Sequence, residues 1–144
     1  MRIGIASDHG GYRLKAELVA LLRERTGVTV DDLGPSTDAS TDYPDHAHAL
    51  ARAILAGKYD RGILVCGTGV GMALAANRHR GIRCVNCSDT YTARLSRQHN
   101  DTNILALGER VLGKGLAWEI VTAWLDEPTD QDERHARRRA KIEL

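Results

Sequence analysis

At 144 residues, 27% of them charged and with a formal net charge of +1, the chain is sized for one domain around one core, and its charge calls for neither a nucleic-acid nor a membrane partner. Three cysteines, an odd count, argue against a disulfide framework and a structural zinc site, and favour a reducing, cytoplasmic setting. No apolar run approaches membrane-spanning length, and the apolar start Ile3-Gly-Ile-Ala6 is too short for a secretion signal.

Read in order, strands and helices alternate. Arg2 to Ala6 is a first strand, Ser7-Asp-His-Gly-Gly11 a polar turn, and Tyr12 to Arg25 a helix with Leu14, Leu18, Leu21 and Leu22 on one face. Gly27 stops that helix and Val28 to Leu33 is a second strand. A polar loop from Gly34 to Tyr43 precedes a helix that Pro44 opens and Gly57 ends. Ile63, Leu64 and Val65 form a short apolar strand, closed by Cys66 and followed by an Ala-rich helix from Met72 to Asn77. Ile82 to Asn86 is a fourth strand, and Ser88 is placed to cap a helix from Asp89 to Arg97. Asn103 to Leu107 is a fifth strand, and Leu116 to Leu125 a helix with Trp118, Val121 and Leu125 inward. Thr129 and Asp132 have capping-box spacing for a last helix with few apolar residues, so that residues 129–144 form a basic C-terminal helix expected to pack on a partner subunit, within a single domain spanning 1–144. Five such alternations predict an α/β, Rossmann-like three-layer sandwich, a five-stranded parallel sheet with helices on both faces.

The chemistry gathers at Cys66-Gly-Thr-Gly-Val-Gly71. A glycine turn between strand and helix leaves backbone N–H groups free at the positive end of a helix dipole, a seat for an anion. A thiol beside it sits at the strand edge where open α/β sheets bind ligands. Abstracting a proton next to a carbonyl needs a base poised near neutral pH; a free thiol titrates near ~8.5, and a helix N-terminus lowers that value. Fixed N–H donors and the Thr68 hydroxyl suit a developing oxyanion. Other polar residues cluster at Asp8-His9, at Asn86-Cys-Ser88, along Ser96-Arg-Gln-His-Asn-Asp-Thr-Asn103, and at Gly108-Glu-Arg110. In the tail, Arg134 and Arg138 are four apart and share a helix face, as a phosphate dianion would need.

Ser7-Asp-His-Gly-Gly11, Thr41-Asp-Tyr-Pro44, Cys66-Gly-Thr-Gly-Val-Gly71, Ala75-Ala-Asn77, Gly81-Ile-Arg83, Ser96 to Asn103, Gly108-Glu-Arg-Val-Leu-Gly113 and Arg134-His135 together resemble the ribose-5-phosphate isomerase B family, over nearly the whole chain. That group includes galactose-6-phosphate and allose-6-phosphate isomerases. The resemblance implies a cofactor-free, metal-free aldose–ketose isomerase acting through an enediolate. On it, Cys66 matches the base, His99 the acid that opens the furanose ring, and Gly67, Thr68, Gly69, Val70 and Gly71 the anion hole. Asp8, His9, Asn100, Arg110, Arg134 and Arg138 match substrate and phosphate contacts. It also implies a homodimer or dimer of dimers with shared sites. One branch of the family places a glutamate just after the glycine loop; here that place holds Met72, which leaves Cys66 as the loop's base.

Plainer readings apply to the remaining candidates. Cys84 and Cys87 read as small buried hydrophobes, His46, His48 and His79 as helix-surface residues, and Arg137, Arg139 and Lys141 as a solvated face. Tyr43 reads as part of a helix start and is not counted in the site. Two other classes compete with the isomerase. A flavodoxin-like nucleotide-binding module would use the same turn, but Gly67, Gly69 and Gly71 alternate instead of following Gly-x-Gly-x-x-Gly. A thiol redox protein would need a resolving cysteine near Cys66. Within the isomerases, allose 6-phosphate, galactose 6-phosphate and tetrose phosphates remain open as substrates.

Overall fold

The five strands are β1 (Arg2–Ser7), β2 (Thr29–Asp32), β3 (Arg61–Cys66), β4 (Cys84–Asn86) and β5 (Ile104–Gly108). They form one all-parallel sheet in the order β2-β1-β3-β5-β4. Between and after them run α1 (Tyr12–Glu24), α2 (Tyr43–Leu55), α3 (Val70–Ala76), α4 (Thr90–Asn100), α5 (Lys114–Asp126) and α6 (Glu133–Ala140). The computed structural model describes residues 1–143; Leu144, counted in the basic tail on sequence grounds, lies outside them. Among the described residues no helix is long and apolar enough to cross a membrane.

Parallel strands buried on both faces lose the polar alternation of a surface strand, which is why β5 is apolar throughout and β3 is apolar after its first residue, Arg61. Their alternate side chains feed two apolar layers. Ile3, Ile5, Ile63, Val65, Leu105 and Leu107 pack under α1, α4 and α5, while Ala6, Leu64, Cys66 and Ala106 pack under α2 and α3. Each fully buried Ile or Leu contributes about 1.5–3 kcal/mol. The edge strands β2 and β4 are shorter and partly exposed, as edges with one neighbour are.

Several boundaries differ from the sequence expectation, for local reasons. Asp89, not Ser88, caps α4, since its Oδ1 accepts the Thr92 N–H at 2.7 Å. Asp132 caps α6 by accepting from the Arg134 N–H, whereas Thr129 is drawn away to Arg97 and Asp101. The helix α4 runs three residues past Arg97, so most of the polar run Ser96–Asn103 is helix and helix cap. Inside α5 the fully buried tryptophan is Trp124, with Nε1 donating to Thr102 Oγ1 at 2.8 Å; Trp118 sits at the rim of the core. His46, His48 and His79 are half-buried and bonded, His48 Nδ1 to His79 Nε2 at 2.8 Å and His46 Nε2 to Thr41 Oγ1 at 3.0 Å.

The end of α4 is held by a buried cation. Arg97, 5% exposed, bonds Asp101 Oδ1 at 2.7 Å and Thr102 O at 2.6 Å. Asp101, in the left-handed region at φ 49°, also takes Arg83 Nη2 and Thr129 Oγ1. Partial burial pulls the Asp101 carboxyl upward, but the Thr129 hydrogen bond and the two arginines outweigh it and hold it below the usual carboxylate range. A carboxyl depressed in the folded state stabilises the protein above its unfolded pKa of ~3.9, and that contribution is lost as pH falls through the folded value. Asp101→Asn is expected to cost about 1–2 kcal/mol at pH 7, allowing for screening at a carboxylate more than a third exposed. Urea melts should show the gap between variant and wild type closing below about pH 4; a pH-independent gap would mean the charge is not the cause.

Candidate active site

The strand order reverses between β1 and β3, and the two loops that leave their C-terminal ends meet there. From β1 comes Asp8, buried, whose Oδ1 accepts the Gly10 N–H at 2.8 Å while its own N–H donates to Val65 O. Gly11 must lie against β3: a Cβ there would stand 2.4 Å from the Val65 carbonyl. From β3 comes Cys66, 6% exposed, and the glycine turn. Gly69 takes φ +83°, open to glycine at no steric cost. That bend aims the Gly69 N–H at Cys66 Sγ, 3.1 Å away. An amide aimed at the sulfur is a donor that would meet a thiolate. The turn then opens directly into α3, with Gly69 as its N-cap.

Three further residues frame this loop. Arg110 Nη1 lies 3.3 Å from the point a Gly67 Cβ would occupy, and its backbone N–H donates to Gly67 O at 3.0 Å. Asn86 Nδ2 donates to Thr68 O at 3.3 Å, while the Thr68 side chain is exposed. The Tyr43 ring edge comes within 2.8 Å of an added Gly71 Cβ, so this tyrosine, left out on sequence grounds, lies against the loop. Its place in the run Thr41-Asp-Tyr-Pro44 was the signal. His9 is exposed on the same edge, and its Nδ1 accepts from the Thr41 N–H at 3.3 Å. Lys15, fully buried, ties down the loop before Thr41 through Asp32 Oδ1 and Pro35 O.

The other candidates are elsewhere. The helix α4 runs back along the sheet, and Asn103, three residues past its end, accepts from Gly62 N–H at the start of β3. His99 and Asn100 therefore lie at the sheet's N-terminal edge, while Cys66 stands four residues up the strand, roughly 13 Å away along β3 alone. The polar run that the sequence grouped with the glycine loop is at the far side of the molecule. Arg134 and Arg138 accompany it on α6 and are exposed. The chain thus brings together Asp8, His9, Cys66 to Gly71 and Arg110, and separately His99, Asn100, Arg134 and Arg138, but not the two groups with each other. A cavity of about 600 Å³ opens near the second group, lined in part by Asn77, Arg80, Arg83 and Asn100.

Two plainer expectations divide. Cys84 and Cys87 are inert: burial, with help from Cys87, pushes the Cys84 thiol well up, and burial with the charge of Asp89 pushes Cys87 up to about 12. Arg139, by contrast, is no solvated residue. It is half-buried and its Nη1 donates to His99 O at 3.1 Å. Nor does α6 lack an anchor in its own chain, because His135 is buried with its ring centroid 4.1 Å from that of His99.

The model of the Ribose/Galactose Isomerase family matches residues 3–142. Ribose-5-phosphate isomerase B of Escherichia coli is 55% identical over 124 residues, covering 86% of this chain and 83% of that one. The D-erythrulose-4-phosphate isomerase of Pectobacterium atrosepticum is 45% identical over 127 residues, covering 88% and 83%. The solved structure of Clostridium thermocellum ribose-5-phosphate isomerase B superposes with a TM-score of 0.95 at 52% identity, covering 99% of this chain and 95% of that one.

Proposed function

The chain belongs to the ribose/galactose isomerase family, as a sugar-phosphate isomerase, and from that premise we propose that it interconverts ribose 5-phosphate and ribulose 5-phosphate through a cis-enediolate. The observation that carries this reading is the Gly69 amide aimed at the Cys66 sulfur in the glycine turn that opens α3. Base and anion hole are built on one loop. His99 protonates the furanose ring oxygen as the C1 hydroxyl loses its proton, which gives the open aldehyde. The Cys66 thiolate then removes the C2 proton, the electrons form the C1–C2 double bond, and charge settles on O1. The N–H groups of Gly67 to Gly71 and the Thr68 hydroxyl meet that charge; losing one such donor costs on the order of 10²–10³ in rate. Cys66 returns its proton to C1, and a proton passing from O2 to O1 completes the ketose. Asp8, His9, Asn100 and Arg110 contact the sugar phosphate, and Arg134 and Arg138 match its dianion with forked donors.

A single chain holds the base and the ring-opening acid at opposite edges of its sheet. We take the active form to be a homodimer or a dimer of dimers, in which the His99 edge of one copy completes the Cys66 edge of another.

Assay of the purified protein against a panel of sugar phosphates tests the substrate. The highest kcat/KM is expected for ribose 5-phosphate. The similarity to a D-erythrulose-4-phosphate isomerase favours a tetrose phosphate as the second reading. A preference of more than about tenfold for a tetrose or hexose phosphate would overturn the first.

A further inference from the structure

The helix α6 reads Glu-Arg-His-Ala-Arg-Arg-Arg-Ala, and the one side chain it buries is His135. A leucine there would anchor the helix without leaving polar nitrogens to satisfy. Instead an imidazole is buried, with its Nδ1 2.6 Å from Asp130 Oδ2 and its face against the His99 ring, the planes inclined by 37°. The same segment grips the His99 backbone from two sides. Asp130 N–H donates to Gln98 O at 3.1 Å, and Arg139 Nη1 donates to His99 O. Partial desolvation pulls the Asp130 carboxyl upward, but the hydrogen bond and charge of His135, with smaller help from the Asp132 amide and His99, hold it below its ordinary range. A carboxylate that stays ionised accepts from the His135 Nδ1–H and so fixes the orientation of the ring. The ligand atoms of His99, Asp130 and His135 lie within 4.8 Å of one another. Asp130 already occupies Nδ1 of His135 at 2.6 Å and His99 packs on that ring by its face, so the trio is a hydrogen-bonded pair with a ring against it and not a metal seat.

We propose that Asp130 and His135 are positioning residues for His99: the carboxylate fixes the buried His135 ring as a wall against which His99 stacks, and its negative charge steadies the protonated His99 that donates to the sugar ring oxygen. The proton leaves the His99 imidazolium for the ring oxygen while the C1 hydroxyl gives one up to water, from which the imidazole is reprotonated, so ring opening is proton-neutral and the pair consumes nothing. The other charged groups around this end of α4 are Arg139 from α6, with Nη1 4.0 Å from Asp130 Oδ1, Arg97 and Asp101 on α4 and its cap, Arg83 before β4 with its second partner Glu143, and Glu127, bonded to Gln98. Arg97 and Arg83 are paired with Asp101, which leaves Asp130 as the carboxylate bonded to the histidine stacked on His99. This inference rests on the ring-opening role given to His99 above.

Asp130→Asn keeps the shape and removes the charge. It is tested in the full-length protein by kcat/KM from pH 5 to 9 on ribose 5-phosphate, and on erythrose 4-phosphate, whose phosphorylated O4 cannot close a furanose. The expected result is a loss of roughly tenfold on ribose 5-phosphate near neutrality, with the limb of the profile due to His99 moving about half a unit to one unit to lower pH. Erythrose 4-phosphate should change less than about twofold, and Asp130→Glu should restore the profile. Where the tetrose is not turned over, the displaced limb on ribose 5-phosphate decides alone. The ¹⁵N shifts of His135 give an independent reading, expected to change from the Nδ1–H form in wild type to mixed tautomers in Asp130→Asn. An unmoved limb in a variant that melts like wild type would overturn the proposal, as would equal losses on both sugars. His99→Asn separates the two levels. If it is selective for the cyclic sugar while Asp130→Asn is not, only this inference falls; if His99→Asn itself fails to discriminate, the acid role of His99 falls with it.

Discussion

Cys66→Ala is expected to lower turnover by roughly 10²–10⁴ while sugar-phosphate affinity changes little. The sulfur is nearly enclosed and takes the Gly69 amide, so its loss removes the proposed base without disturbing groups at the far edge of the sheet. The methyl of alanine fits the space, and the Gly69 φ is set by the turn, not by the thiol. Cys84→Ala and Cys87→Ala serve as controls, because burial keeps both thiols protonated. Steady-state kinetics with a competitive inhibitor to report affinity would decide the matter. Near-normal turnover in Cys66→Ala would remove the thiol from the mechanism, and a parallel collapse of affinity would make it a binding group.

Complementation between inactive copies is the second large effect. Cys66→Ala spoils one edge, and Arg134→Ala/Arg138→Ala spoils the other. When the two inactive proteins exchange subunits, a mixed dimer has one site with both defects and one with neither. A statistical mixture in which half the dimers are mixed then recovers about a quarter of wild-type activity from parents that have almost none. The separation of the two groups along β3 motivates the experiment, since no side-chain motion within a chain spans it. No recovery after verified exchange would mean that base and arginines serve one site from one chain.

The alternation of strand and helix was legible because β3 and β5 are buried on both faces, and a short apolar run between glycines has few other uses. The glycine turn was legible for a similar reason: few structures other than an anion seat need three alternating glycines at a strand end. What could not be read was where the polar run Ser96–Asn103 lies. Its residues look alike whether they form a loop beside Cys66 or the end of a helix returning to the other edge. The choice depends on Arg97 finding Asp101, Thr102 and Thr129, which are tertiary partners. Trp124 escaped notice because helical periodicity also allowed Trp118, and only the position of Thr102 beside its indole N–H settles which one is inside. His135 was hidden in a basic tail, and no spacing rule distinguishes a buried histidine from an exposed one.

The course of α4 back along the sheet also constrains how copies can assemble. If sites are shared as proposed, each chain offers two unlike patches, one at either end of its strands, that complete each other but not themselves. Joined around a two-fold axis, two copies satisfy both patches twice and the assembly closes. Joined head to tail, each copy would leave one patch open at either end, and the chain of subunits would grow without limit. In the two-fold arrangement proposed above, rotational symmetry would therefore do more than pair the copies: it would close each exchange of patches within a pair, and it would make every complete site a product of both chains.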